Sequence, residues 1–152
     1  GAGTLALEDM AVEMAKAGRL AGSVRFTGLP TGVAGFMPER SSLAQANLNA
    51  LDLTVTDEGA LGPALDAFAA RQGMSREALV DRQFRAIAQK TRGASDSVRK
   101  SVEALRGFLK EGGTIRVVLD PDREIAMSKL IMAFMLRPVR VAESMNLRVT
   151  RE

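Results

Sequence analysis

Hydrophobic and polar residues alternate with a period of two through the first third of the chain. Leu5 and Leu7, then Met10, Val12 and Met14, and, beyond a polar turn at Lys16-Ala17-Gly18-Arg19, Leu20, Val24 and Phe26 keep this rhythm. The pattern predicts a β-hairpin. Its phase slips at Glu8-Asp9, which predicts a bulge or a break, because a one-residue slip sends side chains to the opposite face. Gly28 to Gly32 end the second strand, and Val33 to Pro38 read as a loop carrying Val33, Phe36 and Met37. Ala46 to Thr56 read as a third strand around Leu48, Leu51, Leu53 and Val55, so residues 1–56 are expected to form mainly an antiparallel meander.

At Asp57 the period changes. Leu61, Leu65, Phe68 and Ala69 fall at helical spacing, Asp57 can cap, and Gly73 suits the residue just past the helix end. Ser75 can cap a second stretch, along which Val80, Phe84, Ile87, Thr91, Ala94, Val98, Val102, Leu105 and Leu109 recur at threes and fours. This predicts a long amphipathic helix, or a helix pair split at Gly93-Ala94-Ser95-Asp96, ending at Gly112-Gly113, with Phe84 and Leu105 facing the core. Strand character returns in Thr114 to Leu119 and stops at Asp120-Pro121-Asp122. A helix is expected from Ser128 to about Leu136, halted before Pro138. A further helical turn over Val139 to Met145 and a last strand over Asn146 to Thr150 complete the chain. Strands, helices, strand, helix, strand in that order predict an α+β fold, a mostly antiparallel sheet with helices packed on one face.

The 152 residues, 46% hydrophobic and 26% charged, fit a single globular domain over 1–152. Gly1-Ala2-Gly3 opening directly onto a patterned segment suggests a domain excised from a larger protein. The longest apolar run, Leu130 to Leu136, is far short of the roughly 20 residues that span a bilayer, so no transmembrane segment is expected in this chain.

Composition then narrows the chemistry. Histidine, cysteine, tryptophan and tyrosine are all absent, which removes the groups that do most proton shuttling, thiol chemistry and transition-metal binding near neutral pH. Ser97 and Lys100 have the S-x-x-K spacing of serine acyl-enzymes, without the companion elements such enzymes carry. They read as helix surface. Asp120, Asp122 and Glu124 alternate as calcium ligands can, but the rest of a calcium loop does not follow, and a strand-ending turn accounts for them. Gly28, Gly32 and Gly35 match no phosphate-binding loop. The expectation is therefore no catalytic residue, no cofactor and no metal site, and a non-enzymatic role.

Charge and apolar excess point to two kinds of partner. Residues 75–111 carry nine basic and five acidic residues within a net charge of +3, so this basic helix could follow phosphates or an anionic surface. Interspersed acids and an aromatic content of 4% favour a solvated helix face instead. Met127 to Met135 leaves almost no polar side and is expected to be covered all round. Either it is a central core helix, or Met127, Ile131, Phe134 and Met135 join Val33, Phe36 and Met37 in lining an apolar cleft.

From Phe108-Leu109-Lys110-Glu111-Gly112-Gly113-Thr114-Ile115 through the Asp-Pro turn, apolar helix, Pro138 and the Asn146-Leu147 strand, the pattern resembles cell-envelope proteins of alphaproteobacteria, loosely of the AsmA or YdgA type. That resemblance implies a periplasmic or membrane-tethered location. The leading expectation is a non-enzymatic binding or interaction domain of the cell envelope, using apolar surface for a lipid-like ligand or a protein partner. The alternative is nucleic-acid or anionic-surface binding through 75–111.

Overall fold

Two twelve-residue strands, β1 (Gly3–Met14) and β2 (Gly18–Leu29), form the predicted hairpin, with the Ala17 N–H donating to the Met14 carbonyl at the turn. The computed structural model describes residues 3–29 and 44–152, so Val33, Phe36 and Met37 lie outside the described residues. The slip at Glu8-Asp9 is a bulge. Leu7 pairs with Val24 and Met10 with Gly22, so three steps along β1 match two along β2, and Asp9 takes a φ of 53°. The extra residue puts Met10, Val12 and Met14 back on the face of Leu5 and Leu7.

β3 (Asn47–Asp57) pairs antiparallel with β2 and also with β4 (Thr114–Leu119) and the two-residue β5 (Ile125–Ala126). With β6 (Arg148–Arg151), the main path of the sheet is β1-β2-β3-β4-β6, antiparallel throughout. The register gives the sheet an apolar and a polar face. Val24 opposes Leu51, and Leu51 opposes Leu119; one residue along, Ser23 opposes Asp52, and Thr54 opposes Arg116. On the polar face the Arg116 guanidinium grips Asp52 through two hydrogen bonds, at 2.8 and 2.5 Å, which holds that carboxyl below the usual carboxylate range. Gly22 sits where β3 comes closest: at its φ of 150° a Cβ would lie 2.0 Å from the Asp52 carbonyl oxygen.

The helices among the described residues are α1 (Leu61–Arg71), α2 (Arg76–Lys90), α3 (Asp96–Glu111), α4 (Met127–Leu136) and α5 (Pro138–Ser144). Their boundaries follow local chemistry. One Asp57 oxygen accepts from the N–H groups of Gly59, Ala60 and Leu61, while Ser75 and Ser95 accept from Ala78 and Val98. Ser95 thereby makes the long amphipathic stretch a helix pair. At the far end of α1, Gly73 at a φ of 70° lets Met74 N–H reach the Ala69 carbonyl and Gly73 N–H reach Ala70, a Schellman closure. α5 closes in the same way with Asn146 at a φ of 48°, and the Asn146 amide donates to the Asp120 carbonyl and the Asp122 carboxylate. The acidic turn at 120–122 thus anchors a helix end.

The core lies between the apolar sheet face and α4–α5, where Val24 and Leu48 meet Leu130, Val141 and Met145. A second cluster joins Ala94 and Val98 to Ala142, with Val139 and Leu147 against it. The fold is α+β with helices packed against an antiparallel sheet. Three sequence readings need correction. The last strand starts at Arg148, because Asn146 and Leu147 are spent on the α5 closure. Leu105 is 39% exposed although it shares the face of buried Val98, Ser101 and Phe108, because it opens onto a groove instead of the closed core. And α4 is not covered all round: it buries Leu130 and leaves its opposite face open.

Candidate apolar binding surfaces

Ile87 of α2 and Val102 and Leu105 of α3, predicted to be core, instead form one wall of a groove of about 260 Å³. Phe134 of α4, Val139 of α5 and Val149 of β6 supply other parts of the lining. The polar side chains in this lining are largely committed within the fold. Thr91 Oγ1 donates to the Ile87 carbonyl at 3.0 Å; Ser101 Oγ donates to the Ser97 carbonyl at 2.8 Å and accepts from the Val149 N–H at 2.9 Å. Ser101 therefore ties α3 to β6 and presents little polarity to the groove. Lys90, exposed at the end of α2, is the one charged side chain in the lining.

The second apolar surface is the open face of α4. Ile131, Met132, Met135 and Leu136 are 56%, 63%, 81% and 75% exposed. Spacings of three (Met132 to Met135) and four (Ile131 to Met135, Met132 to Leu136) join them into one stripe, opposite buried Leu130. The candidate residues on this helix thus divide. Met127 and Phe134 are half-buried and pack against the core, with Phe134 also reaching the groove, whereas Ile131 and Met135 point outward. They do not converge on one cleft. The groove walls on α2, α3 and β6 were missed because their apolar spacing reads equally well as core: Leu105 shares the helix face of Val98, Ser101 and Phe108, and only the docked fold shows that it meets a groove.

Of the nine basic residues in 75–111, Arg76, Arg99, Arg106 and Lys110 form ion pairs. Lys110 and Arg106 of α3 both reach Asp81 of α2, at 2.7 and 2.5 Å, and hold its carboxyl below the usual range, Lys110 contributing most. Arg76 pairs with Asp66 of α1 at 3.0 Å, and Arg99 with Asp96. Ser97 hydrogen-bonds the Leu147 carbonyl at 3.4 Å from an exposed position, and Lys100 is exposed as well. Among the described residues no group of three or more acidic side chains is placed to hold a metal ion, and no helix is long and apolar enough to cross a membrane.

Comparison with known proteins gives a family without an activity. A family model described as "Uncharacterized protein" matches residues 11–152. No curated protein and no solved structure matches the chain.

Proposed function

We propose that this chain, which belongs to the family described as "Uncharacterized protein", is a non-enzymatic binding domain of the bacterial cell envelope that holds a lipid-like ligand on apolar surface. The observation that carries the reading is the groove between α2, α3, α5 and β6. It offers apolar walls, hydroxyls already engaged by backbone groups, and a single cation, Lys90. A slender apolar chain gains from such a site about 0.8 kcal/mol for each methylene removed from water. At about 260 Å³ the groove is somewhat below the roughly 300–1,000 Å³ of drug-sized pockets, which suits one acyl chain rather than two. An anionic head can then rest near Lys90. The envelope location is supported by the resemblance of the patterning from Phe108 onward to envelope proteins. Binding of nucleic acid through 75–111 has less behind it, since Arg76, Arg99, Arg106 and Lys110 are already engaged by carboxylates.

Freshly purified protein is expected to carry a lipid visible by native mass spectrometry and recoverable by solvent extraction. It is also expected to bind the fluorescent fatty acid cis-parinaric acid. Val102→Phe, which narrows the groove from a half-buried position, should weaken that binding at least about tenfold, equivalent to about 1.4 kcal/mol. A chain that is ligand-free on isolation and indifferent to the probe would sink the reading.

A further inference from the structure

The open face of α4 takes no part in the groove, whose lining includes only Phe134 from this helix, and it calls for a partner of different chemistry. Four large apolar side chains, Ile131, Met132, Met135 and Leu136, form an exposed ridge along the helix. Lys129 flanks it on the helix, Arg137 caps its C-terminal end and Arg140 lies in the first turn of α5, all three exposed. From Met127 to Ala142 the chain has no carboxylate. The nearest acids along the sequence are occupied: Glu124 accepts from Thr27 and Asn47, and Glu143 accepts from the Ser95 N–H. Among the described residues Lys129, Arg137 and Arg140 form no ion pair.

We infer that α4 docks this domain on an anionic lipid bilayer, inserting the Met-rich ridge among the acyl chains while the three cations meet lipid phosphates. The shape and the charge select this occupant. An apolar stripe bordered by cations is what seats a helix in the plane of a membrane interface, and unbranched methionines adapt to disordered chains. A second copy fits poorly, because a two-fold contact sets the same patch against itself and would bring these cations together. Four side chains also fall far short of the roughly 20–30 residues a side of a standard protein interface.

The absence of tryptophan makes the test direct. Met135→Trp creates a single reporter at an 81% exposed position. With phosphatidylglycerol-containing vesicles its emission should shift to the blue, be quenched by brominated acyl chains, and recover as salt rises. Ile131→Asp with Met135→Asp should reduce co-sedimentation with those vesicles at least about tenfold. Replacing Lys129, Arg137 and Arg140 by Gln should cost about a hundredfold, from about 1 kcal/mol for each cation. Unchanged urea midpoints would show that these surface variants fold. No spectral shift would overturn the inference, as would equal binding to phosphatidylcholine vesicles, or a dimer in sedimentation that the Asp variants dissolve. Val102→Phe should leave vesicle binding intact and the Asp variants should leave cis-parinaric acid binding intact, so this inference and the groove reading fail separately.

Discussion

A phenyl ring enclosed by its neighbours and a leucine open to a groove should respond differently to the same truncation. Phe84 on α2 is buried, whereas Leu105 on α3 is 39% exposed. Phe84→Ala is expected to destabilise the domain by about 3–5 kcal/mol, the cost of lost burial plus a cavity. Leu105→Ala should cost about 1 kcal/mol or less, since no closed cavity forms and the site resembles surface. Urea midpoints of the two variants check this; equal shifts would mean that α3 presents a different face to the sheet.

At the scale of elements, the joint between α2 and α3 is electrostatic as well as apolar. Asp81 receives Lys110 and Arg106 across that joint and its carboxyl titrates below the ordinary value of about 3.9. A carboxyl lowered by folding stabilises the folded state at pH values above its unfolded value, and that contribution is lost as pH falls through the lowered folded value. Asp81→Asn should therefore lower the melting temperature at neutral pH, and its difference from the parent should shrink below about pH 4. A difference that stays constant down to about pH 3 would remove Asp81 from the account.

Elements whose limits are set by local chemistry were legible in the chain itself. The hairpin, the bulge at Glu8-Asp9, the strand Thr114 to Leu119 and the break capped by Ser95 all follow from alternation, turn residues and caps. β5 was not legible, being two residues held by pairing with Asn47 and Leu48. The orientation of α4 was not legible either. A helix apolar all round does not declare its outer side, and that side is decided by where Leu130 meets Val24 and Leu48. The groove depended on the same docking, because α2, α3, α5 and β6 leave it open where they meet.

For the whole molecule, the groove is bounded by elements that meet only in the folded chain: the α2–α3 pair, α5, β6 and Phe134 of α4. A ligand there binds the folded state and not the unfolded one, so it must raise stability by mass action. At a concentration one hundred times its Kd, the gain is about 2.7 kcal/mol. Thermal unfolding with and without cis-parinaric acid reads this directly, and Val102→Phe, binding at least about tenfold more weakly, should keep no more than about 1.4 kcal/mol of the gain at the same probe concentration. A melting temperature unmoved by saturating probe would place binding outside the fold.

The bulge in β1 has a consequence for self-association. β1 is the end strand of the sheet path, with Leu7, Val12 and Met14 exposed on its apolar side. Long flat rims of this kind invite stacking into fibres. At Asp9 the backbone turns out of the extended conformation, and Glu8, reached by Arg25 at 3.7 Å, adds charge beside it. Deleting Asp9 would straighten the rim while leaving Met10, Val12 and Met14 on the face of Leu5 and Leu7, since the strand then alternates without a break, giving a nearly identical composition a flatter and stickier margin.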